Sequence, residues 1–377
     1  MADEAFADLN DEPGVVHCAR TLADAPREVE SALATALRAS ILPFTRMSEI
    51  RQNLLTGEWV IIAPERAKRG GNLEKPAERP ELPAYVASCP FCPGNEGDPG
   101  EERHRVEGPD GRWEIRSIVN KFSVLSATGE LTGDSEGGGE SVNGVGLHEV
   151  LIECPEHHLA LAQLGREHVQ RVLVAYLHRF REFYADSRVR HVIVFKNSGV
   201  EAGASQQHPH SQIVGLPIVP GQVLERIERA RRYYAENYRC LACATIEEER
   251  RHKTRIIAEN AHFIAFIPYA ALSPYHLWIF PKVHAACFSE LSGDMLPALA
   301  EIVHLILGKV FTFLGNPAFN LVIRSLGPQE HDALHFHWYV SIIPRVNKAA
   351  GFELGTGMYV NPSSPEDRAQ VLRDAPF

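Results

Sequence analysis

Apolar residues recur every three or four positions through REHVQRVLVAYLHRFREFYAD (166–186), and this period predicts an amphipathic helix. The same period runs through SGDMLPALAEIVHLILGKVFTFL (292–314) and GQVLERIERARRYYAENY (221–238); in the latter, charges four apart add i,i+4 pairs. Short apolar runs bounded by proline or polar clusters predict strands: WVIIA (59–63), HEVLIECP (148–155), HVIVFKN (191–197), HFIAFIPY (262–269), YHLWIFP (275–281), FNLVIRS (319–325) and HFHWYVSIIP (335–344). GDSEGGGESVNGVG (133–146) lacks the Gly-Lys-Ser/Thr ending of a phosphate-binding loop and reads as a flexible surface loop.

The elements come twice. Each half offers Cys-x-x-Cys, a strand, a proline with a histidine two or three residues on, a helix, a strand, a loop, His-x-His and a strand ending in proline. His208 to Pro217 spans nine residues, and so does His335 to Pro344. A duplicated unit buries its core against its twin. The expected organisation is an N-terminal extension with an Ala-rich helix (1–47), then two similar units at 48–220 and 221–377. Both are α+β, each a mainly antiparallel sheet with packed helices. A length of 377 residues agrees with two or three folding units at about 150 residues each.

Composition narrows the function. Apolar residues make up 45% and charged residues 23%, as in ordinary globular proteins. A net charge of −10 excludes a general nucleic-acid or membrane-surface binder, which needs a cationic face. No run of 18 apolar residues is present, so no bilayer span is expected. The opening MADEAFADLNDE lacks the basic and apolar regions of a signal peptide, so the expected compartment is the cytoplasm.

The seven cysteines are an odd number, a poor disulfide framework, and four of them fall in CPFC (Cys89, Cys92) and CLAC (Cys240, Cys243). Two thiolates from one turn plus two imidazoles suit a tetrahedral zinc ion. In the first half the partners are His157 and one histidine of His208-Pro209-His210, with His158 as a substitute. In the second they are His284 and His335 or His337, with His331 as a substitute. Two zinc ions per chain are expected.

His-Pro-His-Ser-Gln carries the most chemistry. On an extended segment His208, His210 and Gln212 share a face, so one imidazole can bind metal while the other attacks phosphorus. That attack gives a phosphoramidate, and the Gln212 amide is placed to stabilise charge on the phosphoryl oxygens. Arg66, Lys68 and Arg69 suit a diphosphate. Asn197 and the small residues Gly203, Ala204 and Ser205 precede the motif and allow backbone N–H groups to approach a phosphate.

GEWVIIAPERAKRG, CPFCPGNE, VFKNSGVEAGASQQHPHSQIV and the closing HFHW resemble the galactose-1-phosphate uridylyltransferase family of the histidine-triad superfamily, over about residues 48 to 372. The resemblance implies two tandem histidine-triad-like domains, usually in a homodimer, and nucleotidyl transfer through a covalent nucleotidyl-histidine. It makes His210 the nucleophile, Cys89, Cys92, His157 and His208 the first zinc site, and Gln212 a contact to the phosphoryl group. Arg66, Ala67, Lys68, Arg69, Asn120, Asn197, Gly203, Ala204, Ser205 and Gln206 become nucleotide-sugar contacts. The implied reaction moves the nucleotide of a UDP-hexose to a hexose 1-phosphate such as galactose 1-phosphate. Ser211 after the motif, the second Cys-x-x-Cys and GFELGTGMYVNP resemble instead the ADP-glucose phosphorylase branch, whose acceptor is inorganic phosphate. On that likeness His284 and His337 complete the second zinc site, and Phe352 and Glu353 approach the sugar. A third reading, from another class, is a non-catalytic zinc-bound nucleotide-binding protein.

Overall fold

The computed structural model describes residues 47–69, 81–97, 101–134 and 139–377, with the side chains of 68, 69 and 134 left aside. The extension and its expected helix, the side chains of Lys68 and Arg69, and the centre of the Gly-rich loop lie outside the described residues.

The strands in chain order are β1 (Glu49–Gln52), β2 (Trp59–Ile62), β3 (Glu102–Glu107), β4 (Trp113–Val119), β5 (Gly133–Asp134), β6 (Ser141–Val142), β7 (Leu147–Ile152), β8 (His191–Ser198) and β9 (His210–Leu216). They continue with β10 (Ile256–Glu259), β11 (Phe263–Phe266), β12 (Leu277–Pro281), β13 (Phe319–Arg324), β14 (Tyr339–Pro344) and β15 (Tyr359–Asn361). The helices are α1 (Arg166–Ala185), α2 (Gly221–Asn237), α3 (Leu241–His252), α4 (Met295–Leu314), α5 (Gly351–Thr356) and α6 (Pro365–Asp374). The α+β class expected from the sequence is the one observed.

Ten strands form one sheet in the order β10-β11-β12-β14-β13-β8-β9-β7-β4-β3, and every neighbouring pair in it is antiparallel. The order mirrors itself about the β13–β8 seam, where Asn320 lies opposite Asn197 and Val322 opposite Phe195. The boundary expected after residue 220 falls at the start of α2, and residues 47–377 form one compact unit. A small sheet, β1-β2-β15, stands apart, with β15 parallel to β2.

One face of the large sheet is covered by α1 and α4, which pack on each other. Val169, Val172, Tyr176, Phe180 and Phe183 of α1 keep helical spacing and are buried, as are Leu299, Val303, Ile306 and Val310 of α4. They meet Val192, Val194 and Ile213 of the first half and Leu277, Ile279 and Ile342 of the second in a continuous core. An 18-residue stretch of the 20-residue α4 reaches a mean hydropathy of 1.6, so the helix is long and apolar enough by length and composition to cross a membrane. Here it is a core helix, ended by Gly315 in the left-handed conformation at φ 68°. The opposite, outer face carries His210 and Gln212, two residues apart on β9.

Candidate nucleotidyl-transfer site

Among the described residues two clusters of cysteine and histidine form, one per half: Cys89, Cys92, His157 and His208, and Cys240, Cys243, His284 and His337. In the first, Cys92 Sγ lies 3.5 Å from His157 Nδ1 and 3.6 Å from His208 Nδ1, with Cys89 Sγ 3.7 Å from His208 Nδ1. In the second, Cys243 Sγ lies 3.4 Å from Nδ1 of both His284 and His337. Tetrahedral bonds of about 2.3 Å to sulfur and about 2.0 Å to nitrogen put such ligands roughly 3.5 Å apart. Both donor sets therefore fit a metal ion. Two of the outward ring nitrogens are held as well: His208 Nε2–H donates to Cys154 O (2.8 Å) and His284 Nε2–H to Ala333 O (3.2 Å). Such contacts fix which nitrogen faces the metal. Burial lowers the His157 pKa and brings that of His208 to about 4, keeping both rings in the neutral form that ligates.

The equal nine-residue spacing pairs His208 with His335, yet the second cluster takes His337. The two Cys-x-x-Cys pairs also differ. Cys89 and Cys92 sit in a turn, whereas Cys240 is the N-cap of α3 and Cys243 lies in its first turn. That helix was not apparent from the charge-rich string EEERRH. Two residues beyond the cluster histidine that precedes each strand, His208 or His337, stands His210 in the first half and Tyr339 in the second, each opening its strand.

His210 opens β9 and is only 6% exposed. Its Nδ1–H donates to the carbonyl of His208 at 2.8 Å, which leaves the lone pair on Nε2. Burial holds its pKa below the ordinary histidine range, so the ring is neutral. Phe91, from the CPFC turn, packs against both His208 (6.0 Å between centroids) and His210 (5.5 Å). On the helix side of the strand the peptide is gripped by buried polar groups. Lys196 Nζ donates to His210 O (3.1 Å) and to Glu153 Oε2 (2.7 Å). Glu153 is fully buried and also accepts from Ser211 Oγ (2.5 Å) and the Tyr176 hydroxyl (2.9 Å).

His210 borders a cleft of about 700 Å³, together with Asn197, Ala204, Gln206 and His158. Gly203, at φ 89°, turns the loop that brings Ala204 and Gln206 there, whereas Gly203 itself and Ser205 are not among the lining residues. Asn197 is fixed from the other half, since Asn320 Nδ2 donates to its Oδ1 (2.8 Å) and to Ala202 O (2.9 Å). Gln212 is held by His148, whose Nε2–H donates to Gln212 Oε1 at 2.8 Å, and Asn120 Nδ2 lies 2.9 Å from the same ring nitrogen. Arg66 and Ala67 occupy a 3-10 turn after β2 and are not among the residues lining this cleft. Phe352 and Glu353 lie in α5, ahead of β15, and Glu353 is engaged as a cap on the Ala350 N–H (2.9 Å). Within the described residues the fold thus joins His208, His210, Asn197, Ala204 and Gln206 in one cleft, with Asn120 and Gln212 linked through His148.

His148, Glu153, Lys196 and Asn320 were missed by sequence reasoning. A charged residue in register with buried apolar ones, as Lys196 is with Val192 and Val194, was the signal available.

A family model described as galactose-1-phosphate uridyl transferase, N-terminal domain, matches residues 40–220, and one described as domain of unknown function (DUF4921) matches 160–375. An ADP-glucose phosphorylase of Arabidopsis thaliana is 34% identical over 86% of this chain and 92% of its own. The chain belongs to the galactose-1-phosphate uridylyltransferase family. A galactose-1-phosphate uridylyltransferase of Thermotoga maritima is 27% identical over 87% of this chain and 98% of its own. The crystal structure of the Arabidopsis thaliana ADP-glucose phosphorylase with bound ADP-glucose superposes with a TM-score of 0.76 at 33% identity, covering 88% of this chain and 100% of that one. A uridylyltransferase structure reaches 0.66 at 26% identity, over 87% and 98%. This family member is an enzyme of the nucleotidyltransferase class. The non-catalytic reading finds no support, because these relatives are named as enzymes.

Proposed function

We propose that this enzyme transfers the nucleoside monophosphate of a nucleotide sugar through a covalent nucleotidyl-His210, with ADP-glucose as donor and inorganic phosphate as acceptor. The observation that carries the reading is the Nδ1–H bond from His210 to the His208 carbonyl, which leaves Nε2 unprotonated beside the cleft. Nε2 attacks the α-phosphorus; the P–O bond to the sugar phosphate breaks, and glucose 1-phosphate leaves with the electron pair. Phosphate then attacks the same phosphorus, the N–P bond breaks, and a nucleoside diphosphate departs. Little proton movement is needed, because the leaving group is a weakly basic phosphate. Positioning and hydrogen bonds to the phosphoryl oxygens, from Gln212 and from loop N–H groups at Gly203 to Gln206, supply the rate.

The higher identity to the phosphorylase and the second Cys-x-x-Cys cluster favour this donor and acceptor. Uridylyl transfer from a UDP-hexose to galactose 1-phosphate is the second reading, favoured by the match over residues 40–220. In either case zinc, one ion per cluster, would be held by four protein ligands and serve as a closed structural tie. Arg66 to Arg69, Phe352 and Glu353 are proposed as sugar-nucleotide contacts, and the assembly as a homodimer. The gathering of thiols with histidines fits a reducing cytoplasm.

The test is α-labelled ADP-glucose incubated with the protein. Label should stay on His210 and leave as ADP when phosphate is added. Intersecting rather than parallel double-reciprocal lines, with His210 unlabelled, would show direct transfer. Label retained from UDP-glucose and released only by a hexose 1-phosphate would select the second reading.

A further inference from the structure

A second cavity, of about 620 Å³, shares no lining residue with the His210 cleft. It lies on the outer face of the sheet in the other half, between the turn after β1, helix α3 and the β11–β12 connection. Leu54, Leu55, Leu241 and Tyr269 supply apolar wall. Into this space comes Glu249, on the last turn of α3 and only 2% exposed. Its Oε1 accepts from Arg255 Nε and Nη2, both at 3.0 Å. Its Oε2 is buried without a hydrogen-bond partner among the described residues.

Buried acceptors are nearly always satisfied, and an orphan beside a roomy cavity marks where a ligand donor belongs. The basic side chains at its wall are already paired, Arg239 with Glu247 and His252 with Glu248 at the exposed rim. Arg255 and Arg51 both bind Glu366 (2.8 and 2.9 Å), and both lie over the Tyr269 ring at 5.1 and 4.3 Å. The site therefore lacks an uncommitted cation for a phosphate and presents an acceptor within apolar walls. That is the complement of a flat ring with an amino edge, since a carboxylate accepts from the exocyclic amines of nucleobases.

We propose that this cavity binds a planar, N–H-bearing heterocycle of nucleobase or nucleoside size, its amino edge donating to Glu249 Oε2. The inference does not depend on the reaction assigned to His210.

Equilibrium dialysis of radiolabelled adenosine against the zinc-loaded full-length protein tests it, using three variants. Ala204→Phe fills the His210 cleft and should leave one equivalent of adenosine bound. Glu249→Gln turns an amide donor towards the ligand's donor and should weaken that binding at least tenfold. Thr245→Phe, on the cavity wall with its hydroxyl bonded to the Leu241 carbonyl, should do the same, which guards against Glu249→Gln merely unsettling Arg255. The proposal is overturned by absence of adenosine binding, by its loss in Ala204→Phe, or by unchanged binding in both cavity variants.

Discussion

His210 is held through one ring nitrogen, by the carbonyl two residues before it, and the other nitrogen is left with its lone pair, which is what the proposed attack needs. His210→Asn should therefore abolish turnover while leaving zinc content and melting temperature close to wild type, because the cluster takes His208 and not His210; elemental analysis alongside an activity assay checks this. Gln212→Ala should lower kcat by about 10²–10³, the cost of losing one preorganised donor to the phosphoryl oxygens, read from steady-state kinetics. Beneath His210 the Glu153–Lys196 pair is buried, at 0% and 2% exposure. Lys196→Met leaves a charge alone in the core and should cost about 3–5 kcal/mol in denaturant unfolding, whereas adding Glu153→Gln should recover part of that loss. Much at this scale was legible in the sequence: the His-x-His string and the Cys-x-x-Cys pairs carry their chemistry within a few residues. Lys196, His148 and Asn320 were not, because each takes its role from a residue on another strand, and register between strands is set by the whole sheet.

Among the elements, α3 holds together more than its length suggests. It supplies two ligands of the second cluster, and Glu249 on its last turn ties through Arg255 to Glu366 on α6. Cys240→Ala should halve the zinc content and lower the melting temperature more than it lowers kcat, seen by elemental analysis and calorimetry, since a closed four-ligand site acts on folding. The Glu366 node gives a pH dependence. Burial alone would push this carboxyl up, but Arg51 and Arg255 hold it down, from 4.5 to about 2. A depressed folded-state pKa means the stabilisation is complete above pH 4.5 and is lost as pH falls towards 2. The gap in unfolding free energy between wild type and Glu366→Gln should therefore shrink across that interval, while acid effects on the metal clusters, common to both proteins, cancel. Helices α1 and α4 could be read from periodicity; α3 could not, because its polar face and metal ligands outnumber its apolar positions.

Across the whole molecule the sheet is mirrored, but the chemistry is not. Tyr339 stands where the first half has His210, so a labelling experiment run to saturation should find one nucleotidyl group per chain and not two, counted by intact-protein mass spectrometry. The repeated order of elements in the sequence foreshadowed the mirrored sheet; the nine-residue spacing by itself pointed to His335, and it was the family resemblance that named His337, the histidine that the second cluster takes. The seam itself has a consequence for the protein's history. β8 and β13 each leave their long side to the other half, and Asn320 reaches across to steady Asn197 and the loop beside His210. If the halves descend from one ancestral unit that lived alone, that unit had to cover the same strand edge with a second copy of itself. Fusion turned that partnership into a covalent one and freed the second copy to carry Tyr339 where the first has His210; a fragment ending at residue 220 today would inherit the bare edge without the partner, and should aggregate when expressed by itself.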